Sequence, residues 1–113
     1  LKNQLSWVLH DSYLVKSLYA TDASVYRELP HAVVIPKSIN DIKSVIEFAH
    51  SKSLSIIPRA AGTSLAGQCV GDGIVVDVSK YMTEILEINT QEQWVRVQPG
   101  VVRDQLNVFL IKT

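Results

Sequence analysis

The chain has one cysteine, Cys69, among its 113 residues. An internal disulfide is therefore excluded, and a reducing compartment is the simpler setting. It has no surplus of either charge, since eleven lysines and arginines balance eleven aspartates and glutamates. That balance provides no electrostatic footprint for nucleic acid or anionic lipid. No apolar run approaches the roughly 20 residues of a membrane span, and the N-terminus lacks a signal-peptide pattern. The three histidines, His10, His31 and His50, have no metal-ligand spacing. With 47% hydrophobic and 19% charged residues the composition is that of a folded globular chain rather than a disordered one. The length suits one domain or a piece of one. A soluble, cytoplasmic chain is expected, with peripheral attachment to a membrane left open.

Local patterning divides the chain in two. Leu1, Leu5 and Val8 share a helical face, so a short helix is expected over residues 1–10. Residues 11–30 mix tyrosines with turn formers and show no sustained period; an irregular lead-in is expected. From His31 the signals sharpen. "HAVVIP" reads as a buried strand stopped by Pro36. Ser38, three residues before Asp41, gives a capping-box-like start to an amphipathic helix over 39–52 that carries Ile39, Ile42, Val45, Ile46 and Ala49. "LSIIP" and "GIVVDVS" are two further strands, which makes a small parallel βαβ arrangement.

After Lys80 the period changes to two. "EILEIN" and "QWVRVQPG" predict an antiparallel hairpin, with its loop around residues 89–92. "VVRDQLNVFLIK" then returns to helical spacing. The expected fold class is α+β: a small parallel βαβ sheet flanked by helices, then a hairpin and helix that begin a second unit. The expected division is residues 1–80 as the first subdomain and 81–113 as the truncated start of the second.

Between the second and third parallel strands lies "PRAAGTSLAGQ", Pro58 to Gln68. Pro58, Gly62 and Gly67 interrupt any regular helix, and the segment has too little side-chain bulk to build a core. It sits at the carboxyl end of a parallel strand, where α/β sheets bind ligands. Gly62 and Gly67 can take positive φ and admit a ligand close to the backbone. Thr63 and Ser64 add hydroxyls. If the chain turns helical from Thr63, its first N–H groups are unpaired and converge on the same spot. Such a loop could cradle a pyrophosphate, with Arg59 adding charge or pairing at the surface. It could equally be a tight connection between strands. It is neither a Walker loop, lacking Gly-Lys-Ser/Thr, nor a G-x-G-x-x-G fingerprint.

The ordered series "YATDASVYRELPHAVVIPKS", "PRAAGTSLAGQ", "GIVVDVSKYMTEILEI" and "VRVQPGVVRDQLN" resembles the N-terminal part of the FAD-binding domain of the vanillyl-alcohol oxidase/PCMH superfamily. The likeness is greatest to its glycolate oxidase and D-lactate dehydrogenase branch and runs from about Tyr19 to Lys112. The resemblance implies FAD held between two subdomains, with the pyrophosphate wrapped by Arg59, Ala60, Ala61, Gly62, Thr63, Ser64, Leu65, Ala66 and Gly67, and Gln68 adjoining. The family often has glycine where this chain has Ala60. The family's Val-x-Pro-Gly segment, here Val97 to Gly100, implies that Pro99 and Gly100 lie near the flavin; as residues they are also a strand terminator. Members that tether flavin often carry a histidine in the loop. None lies between Pro58 and Gln68, so non-covalent FAD is expected.

The implied function is the FAD-binding portion of an oxidoreductase that converts a small 2-hydroxy acid to the 2-oxo acid. No catalytic residue and no metal ligand is assigned within this chain, and the chain alone is expected to be inactive and to self-associate. Two other readings are a non-catalytic nucleotide- or protein-binding module on the same scaffold and a sugar-nucleotide reductase of the same fold. Asp22 and Tyr26 match the family's D-x-S-x-Y lead-in, and turn-forming and packing roles account for them. Cys69 reads as a structural thiol.

Overall fold

The computed structural model describes residues 9–112. Its centre is built from the three apolar runs. Strands β2 (Ala32–Val34), β3 (Ile56–Arg59) and β4 (Ile74–Asp77) are parallel, with β4 in the middle. β4 is buried along its whole length, as a strand covered on both faces must be. β3 lies at the sheet edge, which is the position that tolerates Pro58. A short strand β1 (Leu9–His10) pairs antiparallel with β2 on the far side, so the order is β1-β2-β4-β3 and the sheet is mixed.

Two expectations about the N-terminal third need correction. The helix expected over residues 1–10 lies mostly outside the described residues, and its last two, Leu9 and His10, are strand. The lead-in is not wholly irregular. It contains helix α1 (Tyr13–Leu18), whose N-cap Ser12 accepts from the Val15 N–H. Six residues are too few to display a helical period, and α1 buries none of its side chains.

Helix α2 (Ile39–Ser51) crosses from β2 to β3 as expected. Ser38 caps it by accepting from the Asp41 N–H at 3.3 Å. Asp41 reaches back to the N–H of Lys37 at 2.9 Å, one residue beyond the usual partner in a capping box. Val45 and Ala49 of α2 meet Val34, Ile74, Val76, Val78 and Met82 in the main core. In a strand, alternate residues face opposite sides. Val33, Val75, Ile57 and Arg59 therefore face away from α2, toward the lead-in and the long β3–β4 loop.

The change of period after Lys80 marks a separate two-stranded sheet, β5 (Ile85–Asn89) and β6 (Trp94–Val97), antiparallel as expected. Asn89 Oδ1 accepts from the Glu92 N–H in its turn, and Gln93 closes it at φ 60°. Helix α3 (Arg103–Ile111) follows. The join to the first sheet is made at Gly100. Its N–H donates to the Met82 carbonyl at 2.8 Å. A Cβ at this position would lie 2.2 Å from the Val78 oxygen and 2.6 Å from the Met82 oxygen.

Those obstacles are backbone atoms, which cannot swing aside. Gly100→Ala is thus expected to destabilise the chain by about 1–3 kcal/mol through overpacking, read as a lower denaturation midpoint. An unchanged midpoint would mean that the join between the two sheets is loose.

Candidate functional site

The loop from Ala60 to Gly73 leaves the carboxyl end of β3, and its two halves differ in how the backbone is satisfied. In the second half several backbone donors have partners. Ser64 Oγ accepts from the N–H of Ala66 at 3.3 Å and of Gln68 at 3.2 Å, and donates to Gln68 Oε1 at 2.9 Å. Val70 N–H donates to the Gly67 carbonyl. Cys69 N–H donates to Asp22 Oδ2 at 3.4 Å. In the first half, the N–H groups of six consecutive residues, Ala60 to Leu65, donate to no atom among the described residues. Most of these residues are exposed.

No helical turn begins at Thr63, so the condition for helix-end donors there is not met. The Ser64 hydroxyl takes up the N–H groups two and four residues ahead, which competes with helix formation. Gly62 at φ +68° and Gly67 at φ +74° then turn the chain back. The unpaired donors therefore come from an irregular run of backbone, the kind of concavity that suits an anion.

Arg59 points into the scaffold. Its Nη1 donates to the Thr21 carbonyl at 2.7 Å, and its guanidinium lies 5.3 Å from the centre of the Tyr19 ring. It also fills the space beside the Gly62 Cα, where a Cβ would come within 2.5 Å of Nη2. Tyr19 in turn donates to Asp77 Oδ2 at 2.6 Å. Asp77 Oδ1 accepts from both the N–H and the hydroxyl of Ser79. The carboxylate paired in register with Arg59 is thus occupied by donors. Burial, with help from Asp77, pushes the Tyr19 phenol up to about 12.

The residues singled out in the sequence fall into two groups. Arg59 to Leu65, Gly67 and Gln68 share this loop. Pro99 and Gly100 meet the same end of the sheet from the other side: Val78 donates its N–H to the Arg59 carbonyl while its own oxygen abuts Gly100. Lys37, Lys80 and Tyr81 were not singled out. They follow β2 and β4 at this same carboxyl edge, with the two ammonium groups 5.0 and 5.2 Å from the Tyr81 ring centre. Only the parallel pairing of β2 with β4 brings Lys37 to the other two. Two concavities of about 310 Å³ are lined by no residue from Ala60 to Gly73; one borders the hairpin and α3, and the other lies on the α2 face of the sheet and includes Pro58, Val78 and Pro99. Among the described residues no group of His, Cys, Asp and Glu could hold a metal ion, and no helix is long and apolar enough to cross a membrane.

The family described as FAD binding domain matches residues 30–113. A D-2-hydroxyglutarate dehydrogenase of Haemophilus influenzae is 47% identical over 102 residues, covering 88% of this chain and 10% of that protein. A glycolate oxidase subunit of Bacillus subtilis is 34% identical over 94 residues, covering 81% of this chain and 20% of that protein. The mitochondrial D-lactate dehydrogenase of Kluyveromyces lactis is 34% identical over 85 residues, covering 72% and 15%. The chain thus spans between a tenth and a fifth of the length of these relatives. Among solved structures, 6-hydroxy-D-nicotine oxidase from Arthrobacter nicotinovorans superposes with a TM-score of 0.79 at 22% identity, over 96% of this chain and 24% of that one. At that identity the likeness is one of fold.

The Tyr19–Asp77 bond has a pH signature. A phenol with a raised pKa contributes stability that is complete below its unfolded value of 10.0 and is lost as pH climbs toward about 12. Tyr19→Phe is expected to cost about 1–3 kcal/mol near neutrality, because the Asp77 oxygen loses its partner. The gap between wild type and variant should narrow from pH 10 to 12 in chemical denaturation. A gap that stays constant would show that the phenol is not held in this way.

Proposed function

The chain belongs to the FAD binding domain family, within the vanillyl-alcohol oxidase/PCMH superfamily, and on that premise we propose that it is the pyrophosphate-holding part of an FAD-linked oxidoreductase acting on a 2-hydroxy acid. The observation that carries this reading is the run of six unpaired N–H groups from Ala60 to Leu65. An FAD pyrophosphate is a compact dianion with many acceptor oxygens and needs donors fixed in place before it arrives. The residues present suit it: the backbone offers donors, Gly62 lets the ligand approach closely, and Asp77 is turned away into bonds with Tyr19 and Ser79.

In this reading Ala60, Ala61, Gly62, Thr63, Ser64 and Leu65 present N–H groups to the phosphates. The Thr63 hydroxyl can add a donor; the Ser64 hydroxyl is engaged in shaping the loop. Arg59, Gly67 and Gln68 support the loop, while Pro99 and Gly100 carry the hairpin up to its base. Lys37 and Lys80 add positive potential along the same edge. Bound FAD supplies the acceptor for the hydride released from the substrate's α-carbon. This chain's own part is to bind and orient, and no residue in it is assigned a proton transfer.

A 2-hydroxy acid is favoured because the relatives carry that class in their names: D-2-hydroxyglutarate, D-lactate and glycolate. The identity of 47% against 34% favours a dicarboxylic member of the class over the glycolate and D-lactate type. Non-covalent attachment is favoured because no histidine occurs between Pro58 and Gln68. The division into residues 1–80 and 81–113 is supported by the separate two-stranded sheet. Self-association of the chain through α3 is supported by the exposure of Val108, Phe109 and Ile111.

Gly62→Val in the full-length protein tests the loop. The variant is expected to keep its fold and to purify without flavin, since a side chain at that φ is strained and displaces the Arg59 guanidinium. A folded variant with normal FAD content would remove the loop from the site. Acid precipitation of the wild-type holoprotein is expected to leave all flavin in the supernatant. Flavin in the pellet would mean a covalent bond made elsewhere.

A further inference from the structure

We propose that the turn from Thr21 to Tyr26 is a clamp that fixes the loop in its ligand-ready shape, with Asp22 as its positioning residue. The proposal rests on the FAD reading above but concerns residues outside the open run of N–H groups. Its starting point is a physical difficulty. The backbone N–H groups of the loop's first half make no hydrogen bonds that would hold it, and each free residue that becomes ordered costs about 1–2 kcal/mol of backbone entropy. Something outside the loop has to hold it in place.

Three contacts with the turn do so, and they grip both ends. At the start, the Thr21 carbonyl accepts from Arg59 Nη1, and the same guanidinium closes on Gly62. At the far end, Asp22 Oδ2 accepts from the Cys69 N–H. Between them the Tyr26 ring lies against Gly67, where a Cβ would be 2.7 Å from the ring's Cδ2. The turn is itself stiff. Asp22 Oδ1 accepts from the Ser24 N–H at 2.8 Å, and Ser24 Oγ accepts from the Tyr26 N–H at 3.1 Å. A bridge between Thr21 and Arg27 closes its base. One carboxylate thus links the turn's own fold to the end of the loop. Hydrogen bonding from Ser24 holds the Asp22 carboxyl below the ordinary range, and the Cys69 N–H and Arg59 act in the same direction.

Asp22→Ala frees the Cys69 N–H and loosens the turn, so loop ordering is deferred to the moment of binding. In the full-length protein, stripped of flavin and titrated with FAD, the dissociation constant is expected to rise by roughly 3- to 10-fold, as for the loss of a long, solvent-accessible hydrogen bond together with the turn's own bond to Ser24. Asp22→Asn, which keeps one acceptor, is expected to fall between wild type and Asp22→Ala. A purely structural Asp22 would lower the melting temperature and leave the dissociation constant, measured well below melting, unchanged.

Amide hydrogen exchange on the wild-type apoprotein provides a check that needs no variant to fold. The Cys69 N–H is expected to exchange more slowly than those of Ala60 to Leu65, and Asp22→Asn should speed it. Wild-type affinity in both Asp22 variants, or a Cys69 N–H that exchanges as fast as the open run, overturns the clamp. Failure of the wild-type apoprotein to take up FAD would instead overturn the reading on which it rests. With that reading gone, fast exchange at Cys69 would still refute the grip of Asp22 on the loop.

Discussion

A backbone that binds an anion must keep its N–H groups unpaired and still hold them in place. The rest of this structure depends on that constraint. Helices and strands fix a chain by using up its N–H groups, so neither can supply the donors except at an end. Here the run from Ala60 to Leu65 is left open and rigidity is imported from its surroundings. The sheet fixes its start, where Val78 donates to the Arg59 carbonyl. The Ser64 hydroxyl organises the residues that follow, and the lead-in turn holds the far end.

The two faces of the sheet serve this arrangement differently. One is an ordinary core, where α2 buries Val45 and Ala49 against Val34, Ile74 and Val76. Its role is stability. The other is covered by the polar lead-in and by the loop itself, and there charged groups pair within the scaffold. Tyr19, Arg59 and Asp77 form a connected set, with the phenol bonded to the carboxylate and stacked near the guanidinium. Asp77 is buried, so an unpaired carboxylate there would be costly as well as repellent to an anion. The hydrogen bonds from Tyr19 and Ser79 offset the first cost.

Much of this was legible in the sequence because it is encoded locally. The strands at Ala32, Ile56 and Ile74, the helix after Ser38 and the hairpin from Ile85 each announce themselves by period, cap or turn residue. The loop announced itself by Gly62 and Gly67, and both glycines take the positive φ that made them worth noting. What could not be read is what depends on distant partners. Asp22 and Cys69 are 47 positions apart, and Arg59 and Thr21 are 38. Arg59 read alone is a phosphate ligand or a surface charge; only its neighbours reveal a strut. The six-residue α1 is too short for any period to emerge, and β1 is defined by its partner β2 rather than by its own two residues. The missing helical turn at Thr63 has a local cause, the Ser64 hydroxyl, but its effect appears only once the chain is folded.

In the proposed site the open N–H groups of Ala60 to Leu65 are the pyrophosphate contacts. Backbone amide chemical shifts, followed residue by residue as ADP is added to the flavin-free protein, test it most directly. ADP carries the pyrophosphate without the flavin ring. The largest shifts are expected at Ala60 to Leu65, with little change at Ala66, Gln68 and Cys69, whose N–H groups are already bonded within the protein. Saturable binding that moves the amides around Lys37, Lys80 and Tyr81 while leaving Ala60 to Leu65 unmoved would contradict it.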